Sequence, residues 1–284
     1  MSPIFLAALW MTGTLSSLAL MAIAGRELAG ELSTLQILFF RSIVGLAVIS
    51  LVIWRAGAHH FKTRQPWLQV LRNGAHYVGQ FGWFYGLAFL PLAQVFALEF
   101  TMPVWAALMA PLLLGEKLTP ARIASVLIGF CGILVILRPS MAPIGTPALA
   151  VLMAAVGYAV AYTLTKKLIR TDTPLSIVFY MTVVQLPLGG IPTLFDWVMP
   201  SAHAWPWVVV VSITALTAHF CLARAFSFAD AIVVVPMEFL RLPLIAVAGF
   251  LFYGEPFEVW VLAGAAVIFV GNFLGLWSER KSCT

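Results

Sequence analysis

Residues 124–137 read ASVLIGFCGILVIL, and apolar stretches of this length recur along the whole chain. A bilayer core of about 30 Å is crossed by about 20 residues of helix, and ten stretches reach or approach that length: 4–24, 34–54, 67–89, 92–114, 121–138, 147–166, 175–195, 207–227, 230–252 and 258–277. Membrane β-barrels show short alternating strands instead, and runs such as AALMAPLLL do not alternate. The chain is 62% hydrophobic and 10% charged, too little polar side chain to cover a water-facing surface. It is therefore expected to be an all-α integral membrane protein of ten transmembrane helices.

The first span is preceded by MSP, with no Lys or Arg, and no small-residue cleavage site follows it. It is read as a membrane helix rather than a signal peptide. The net charge of +5 suggests nucleic acid until its position is considered. With a cytoplasmic N-terminus, the inner loops and C-terminus hold Arg55, Lys62, Arg64, Lys117, Arg122, Lys166, Lys167, Arg170, Arg280 and Lys281, and the outer loops only Arg26 and Arg138. That is the positive-inside asymmetry. It accounts for the basic balance without a nucleic-acid partner and places both termini in the cytoplasm. Cys131, Cys221 and Cys283 lack metal-ligand spacing and read as packing residues and a tail thiol.

The chain repeats itself. VFALEFTMPVWAALMAPLLLGEKL aligns with VVPMEFLRLPLIAVAGFLFYGEPF at a shift of 139 residues, pairing Glu99 with Glu238, Phe100 with Phe239, Gly115 with Gly254 and Glu116 with Glu255. Gln80 meets His219 at the same shift, and LQILFF meets LSIVFY at 140. Two five-span repeats, 1–140 and 141–284, follow. Five is odd, so the second enters the membrane in the opposite orientation. Accordingly GEKLTPAR is net basic and its counterpart GEPFEVW net acidic. Inverted repeats are a recurring transporter architecture, with binding near the midplane.

Over essentially its whole length the chain resembles the EamA type of the drug/metabolite transporter superfamily. The likeness rests on the E-F-x-x-P/L-P and G-E patterns of both repeats, on Arg41 in FFRSIVGL, and on YGLAFLPLAQV between spans 3 and 4. LRNGAHYVGQFGWFYGLA is most similar to the branch of S-adenosylmethionine and riboflavin carriers. The second repeat departs from the pattern: Pro103 aligns with Leu242, and Pro243 follows one residue later. The resemblance implies a ten-helix bundle around a cavity lined by spans 1, 3, 4, 6, 8 and 9. It also implies a small organic metabolite as partner: an amino acid, S-adenosylmethionine, riboflavin or a similar solute.

A charge at bilayer depth costs roughly 2.5–3.5 kcal/mol on insertion scales, so the charged residues inside spans are the candidate site. Glu99 lies seven residues from the outer end of span 4, about 10 Å deep at 1.5 Å per residue, and Arg41 lies equally deep in span 2. They are expected to pair. Glu238 approaches the midplane from the other face, with Arg241 three residues on along the same helix face and Arg224 a second candidate partner. The glutamates either bind a cation or a proton in the cavity, or lock helices in a permanent salt bridge. Arg72, His76, Gln80 and Trp83 share one face of span 3, read as a cavity wall, with Arg72 snorkelling to the interface. His76 and His219 either titrate near neutrality or stay neutral in hydrogen bonds. Tyr162 and Trp83 lead a set of aromatics, including Trp10, Tyr158, Tyr85 and Trp105, that suits a flat or cationic solute. Pro103, Pro236 and Pro243 bend spans 4 and 9 beside the glutamates. Gly129, Gly132, Gly264 and Gly271 read as helix-packing residues.

No phosphate loop, H-E-x-x-H or G-x-S-x-G occurs, so neither an enzyme nor a cofactor is expected. An intramembrane enzyme acting on lipid would show clustered acidic metal ligands, and the sequence has none. A non-transporting membrane subunit would not need buried charges beside duplicated kinks. The reading is a secondary carrier in a bacterial inner membrane, with proton coupling, exchange and a homodimer all left open.

Overall fold

The computed structural model describes residues 3–114, 120–138, 144–229, 234 and 237–282, and among these it is helical without strands. In chain order the helices are α1 (Pro3–Ala29), α2 (Thr34–Ala56), α3 (Pro66–Phe89), α4 (Leu92–Glu99), α5 (Met102–Leu114), α6 (Pro120–Leu137), α7 (Thr146–Leu168), α8 (Pro174–Thr193), α9 (Ala204–Phe228), α10 (Arg241–Tyr253) and α11 (Val259–Ser282). Six of the stretches in them are long and apolar enough to cross a bilayer; Ile123–Leu137, Arg241–Tyr253 and Val259–Gly275 are shorter apolar helices. Although 24 residues long, α3 is more polar, because Gln69, Arg72, Asn73, His76 and Gln80 lie along it, all buried in the bundle.

Local signals set the helix starts. Ser33 and Thr173, equivalent at a shift of 140, are both N-caps, accepting from the amides of Gln36 and Ser176 at 3.4 and 3.2 Å. Prolines open α3 and α8, where the missing amide costs nothing.

Helix pairing reproduces the internal repeat. The principal packed pairs are α1 with α9 and α3 with α7, which exchange when the halves are exchanged; α2 with α9 and α3 with α8 exchange likewise. Two further pairs, α2–α8 and α6–α11, join equivalent helices across the axis, and α4 packs on α10, the counterpart of α5. Small residues bring the backbones close. A Cβ on Gly157 of α7 would lie 2.7 Å from the Ala75 carbonyl of α3, and one on Gly264 of α11 would lie 2.7 Å from the Gly132 carbonyl of α6.

Contacts between helix ends give direction. Arg138, beyond the last residue of α6, donates to Glu258 beside the start of α11 at 2.9 Å. Both line a cavity of about 250 Å³ with Leu90, at the end of α3, and Gly145 and Ala148, at the start of α7. The C-terminal end of α1 is at this same end, because Arg26 donates to the Leu90 carbonyl. So α1 finishes where its counterpart α7 begins, and the two repeats run in opposite directions.

At the far end the loop before α3 is fastened to the loop after α7. Asp172 accepts from the Thr63 hydroxyl, from the Arg64 amide at 3.0 Å and from Gln69 Nε2 at 2.8 Å. Burial pushes the Asp172 carboxyl up, but the hydrogen bonds from Thr63, the Arg64 backbone, Gln69 and Thr171 outweigh it and hold the group below the usual carboxylate range. A carboxyl depressed in the folded state contributes stability above its unfolded pKa of about 3.9 and loses it as pH falls through the folded value. Asp172→Asn is therefore expected to lower stability by about 1–3 kcal/mol at neutral pH and to flatten the acid limb. Thermal unfolding in detergent across this pH range checks both.

Candidate functional site

The expected single span 92–114 is two helices. Pro103 has no amide to donate to the Glu99 carbonyl four residues earlier, and the helix breaks at Phe100–Thr101. The Phe100 carbonyl is taken instead by Asn272 Nδ2 of α11 at 3.3 Å. At the equivalent place in the second repeat, Phe239–Leu240 is also a turn, and α10 begins at Arg241 with Pro243 in its first turn. Pro236 lies outside the described residues. The two breaks meet through stacked Phe100 and Phe239 rings, centroids 4.3 Å apart. Each break is immediately preceded by its glutamate.

Glu99 does not pair with Arg41. Its Oε2 accepts from Trp83 Nε1 at 2.8 Å and its Oε1 from Arg241 Nη2 at 3.2 Å. Equal depth put Arg41 and Glu99 level, but Arg241 sits across the axis on the other broken helix and reaches the carboxylate first. Arg241 thus does cross-link the halves, and its guanidinium lies over the Phe96 and Phe100 rings at 4.8 and 5.0 Å. Trp83 is buried, with its indole N–H spent on Glu99 rather than offered to a solute. Glu238, half-buried like its mate, differs in making no hydrogen bond or ion pair with a described residue, although Arg241 and Glu99 act on it electrostatically. The sequence carries the reason. The first repeat has Trp83 where the second has Leu222, and the second has Arg241 where the first has Met102.

The polar face of α3 forms a second cluster. Arg41 Nη2 donates to Gln185 Oε1 of α8 at 3.3 Å, and Gln185 Nε2 donates to His76 Nδ1 at 3.0 Å and to the Asn73 carbonyl at 3.2 Å. Gln80 Nε2 also donates to His76 Nδ1, at 2.8 Å. Accepting from two amides, His76 Nδ1 is the unprotonated nitrogen of a neutral ring. Arg72 does not snorkel. It is buried, with Nε on Thr165 Oγ1 at 3.1 Å and Nη1 on Asn73 Oδ1 at 2.6 Å. The i, i+4 pair Gln69 and Asn73 draws it inward rather than toward the interface.

His219, exposed, lies with its ring 6.2 Å from that of buried His76. Tyr162 is 48% exposed and within electrostatic reach of both Glu238 and Arg72. Tyr158 packs on the His76 ring at 5.4 Å. The remaining aromatics serve packing: Trp105 bonds Thr101 Oγ1 at 3.1 Å, and Tyr85 stacks on Phe81. Arg224 lies over the Trp10 and Phe228 rings, not beside Glu238. Gln185, Asn73 and Asn272 were not singled out from the sequence, although a lone Gln inside VVQLPL is a readable signal.

At the end of the bundle holding Arg26 the helix ends are tied together. Glu255 Oε1 accepts from Arg26 Nη1 at 3.0 Å and Oε2 from the Leu92 amide at 2.8 Å, while Tyr253 donates to Glu27 at 2.8 Å. Opposed broken helices with carboxylates at the breaks, wrapped by inverted repeats, define a multi-pass membrane transporter.

The comparisons agree. The model of the EamA-like transporter family matches residues 5–138 and again 145–277, and the chain belongs to that family. It is 25% identical over 273 residues to an S-adenosylmethionine uptake transporter of Rickettsia prowazekii (strain Madrid E), covering 96% of this chain and 93% of that one. It is 31% identical over 228 residues to a riboflavin transporter of Rhizobium johnstonii, covering 80% and 76%, and 30% identical over 249 residues to a pseudopaline exporter of Pseudomonas aeruginosa, covering 86% and 87%. A solved crystal structure shares the fold, with a TM-score of 0.65, 21% identity and coverage of 96% and 98%.

Proposed function

We propose that this protein is a secondary carrier that moves a small organic metabolite across a bacterial inner membrane by alternating access. Its two halves, 1–140 and 141–284, rock about the paired helix breaks. The basic far end faces the cytoplasm, with both termini, and the Arg26–Glu255 end faces outward. The observation that carries this reading is the inequality of the two glutamates. Glu99 is tied to Trp83 and Arg241, while half-buried Glu238, at the equivalent break, makes no hydrogen bond or ion pair with a described residue and lies within electrostatic reach of Tyr162 and Arg241. A fixed carboxylate holds the halves together. A free one exchanges a proton or a cationic group as the cavity changes sides.

Among the solutes named for the relatives, S-adenosylmethionine carries both a fixed cation and a carboxylate, whereas riboflavin is neutral. A carboxylate without an ion pair among the described residues suits the former. Uptake of both compounds into proteoliposomes, with and without an imposed pH gradient, tests the reading. Wild type is expected to accumulate S-adenosylmethionine in a gradient-dependent way, and Glu238→Gln to lose that dependence while staying folded. Equal flux at every pH in wild type and variant would remove Glu238 from coupling.

A further inference from the structure

Among the described residues three arginines are buried, and they are not alike. Arg241 has the Glu99 carboxylate and two aromatic faces. Arg41, 6% exposed, has only the neutral Gln185 Oε1 at 3.3 Å, and its buried Nε has no partner. Arg72, 9% exposed, has two neutral acceptors, Thr165 Oγ1 and Asn73 Oδ1. Neither forms an ion pair with a described residue. Guanidinium stays charged in any protein environment, and a buried charge without a counter-charge is costly. Both arginines act electrostatically on His76 and on His219, so they bear on one region, and His219, whose ring is 6.2 Å from that of His76, is exposed. His76 accepts rather than donates at Nδ1 and offers no charge of its own.

We propose that Arg41 and Arg72 form an anion subsite that receives the carboxylate of the transported solute. The inference rests on the carrier reading and adds the orientation of the cargo within it. A guanidinium edge matches a carboxylate in plane and charge. Tyr162 lies within reach of both Arg72 and Glu238, so a cargo with its carboxylate on the arginines presents its cationic part to Glu238. The cargo class is an amphoteric small molecule with an anionic end and a cationic end. The cationic pair belongs to the first repeat alone: Arg41 and Arg72 align with Met181 and Val211.

The test compares purified wild type with Arg41→Gln and Arg72→Gln, each checked for folding. Binding of S-adenosylmethionine and of its decarboxylated analogue is read by tryptophan fluorescence. Thermal unfolding with and without acetate in low-chloride buffer is run alongside. Wild type is expected to bind the carboxylated probe at least about ten-fold tighter than the analogue, the worth of one charge-assisted hydrogen bond, and to be stabilised by acetate. Both effects should shrink toward nothing in each variant, with affinity for the analogue little changed. A wild type that ignores the probe's carboxylate and acetate alike overturns the subsite, as do variants that keep the full preference. Acetate stabilisation through the arginines without transport of any solute leaves the subsite standing and sinks the carrier reading. Transport without carboxylate discrimination does the reverse.

Discussion

Glu99→Gln is expected to abolish transport and to lower stability by about 3–5 kcal/mol, the cost of leaving one partner of a buried ion pair uncompensated. The variant keeps the shape of the side chain but removes the charge facing Arg241, which is 7% exposed at its side chain and already has one unpartnered nitrogen. The aromatic faces of Phe96 and Phe100 recover only part of that loss. Combining Glu99→Gln with Arg241→Met is expected to restore much of the stability, because both charges leave the low-dielectric interior together. Transport should stay absent, since the link between the two broken helices is gone. Unfolding in detergent and uptake in proteoliposomes separate these effects in one double-mutant cycle. A single variant as stable as wild type would show that Glu99 and Arg241 contribute no net attraction across the axis.

The second large effect concerns the tied end. Glu255 gathers the ends of four helices: Arg26 of α1, which also donates to the Leu90 carbonyl at the end of α3, the first amide of α4, and its own position just past α10. Arg26 further lies over the Tyr253 ring at 5.3 Å. At the shift of 140 that aligns Ser33 with Thr173, the equivalent of Arg26 in the second repeat is Lys166. Glu255→Gln keeps the hydrogen-bonding shape and loses the charge. It is expected to weaken the closed state by about 1.5–3 kcal/mol, a shift of roughly ten- to hundred-fold in the balance of the two states. Val95 of α4, fully buried one turn inside Leu92, reports on it. With the native cysteines replaced by serine, Val95→Cys should react with an impermeant maleimide at least about ten-fold faster when Glu255→Gln is present. Unchanged labelling would mean that apolar packing, not the ion pair, keeps this end shut.

Much of this architecture is legible in the chain because lipid imposes it. The apolar helices and the repeat at 139 residues follow from hydropathy and alignment, and Pro103 marks a bend in span 4 that the structure shows as a break. Pairing was not legible. Depth along a helix is a one-dimensional quantity: it put Arg41 level with Glu99, and it left Arg241 beside Glu238 on its own helix. The choice depends on which face of each helix turns to the axis and on the broken helices crossing there. Arg72 misled for a related reason: its distance from the helix end suggested snorkelling, while Gln69 and Asn73, one turn apart on the same helix, link it to Asp172 in the opposite half. Gln185 escaped notice because one amide in an apolar span carries no periodicity, yet it joins Arg41 to His76.

Solute counterflow tests the carrier mechanism most directly. Proteoliposomes loaded with unlabelled S-adenosylmethionine are diluted into labelled compound, with no ion gradient imposed. Alternating access predicts that the internal solute accelerates entry of the label and produces a transient overshoot, because each half-cycle returns the site loaded. A folded protein that gives simple equilibration without overshoot, for this compound and for every other solute it passes, would contradict the account.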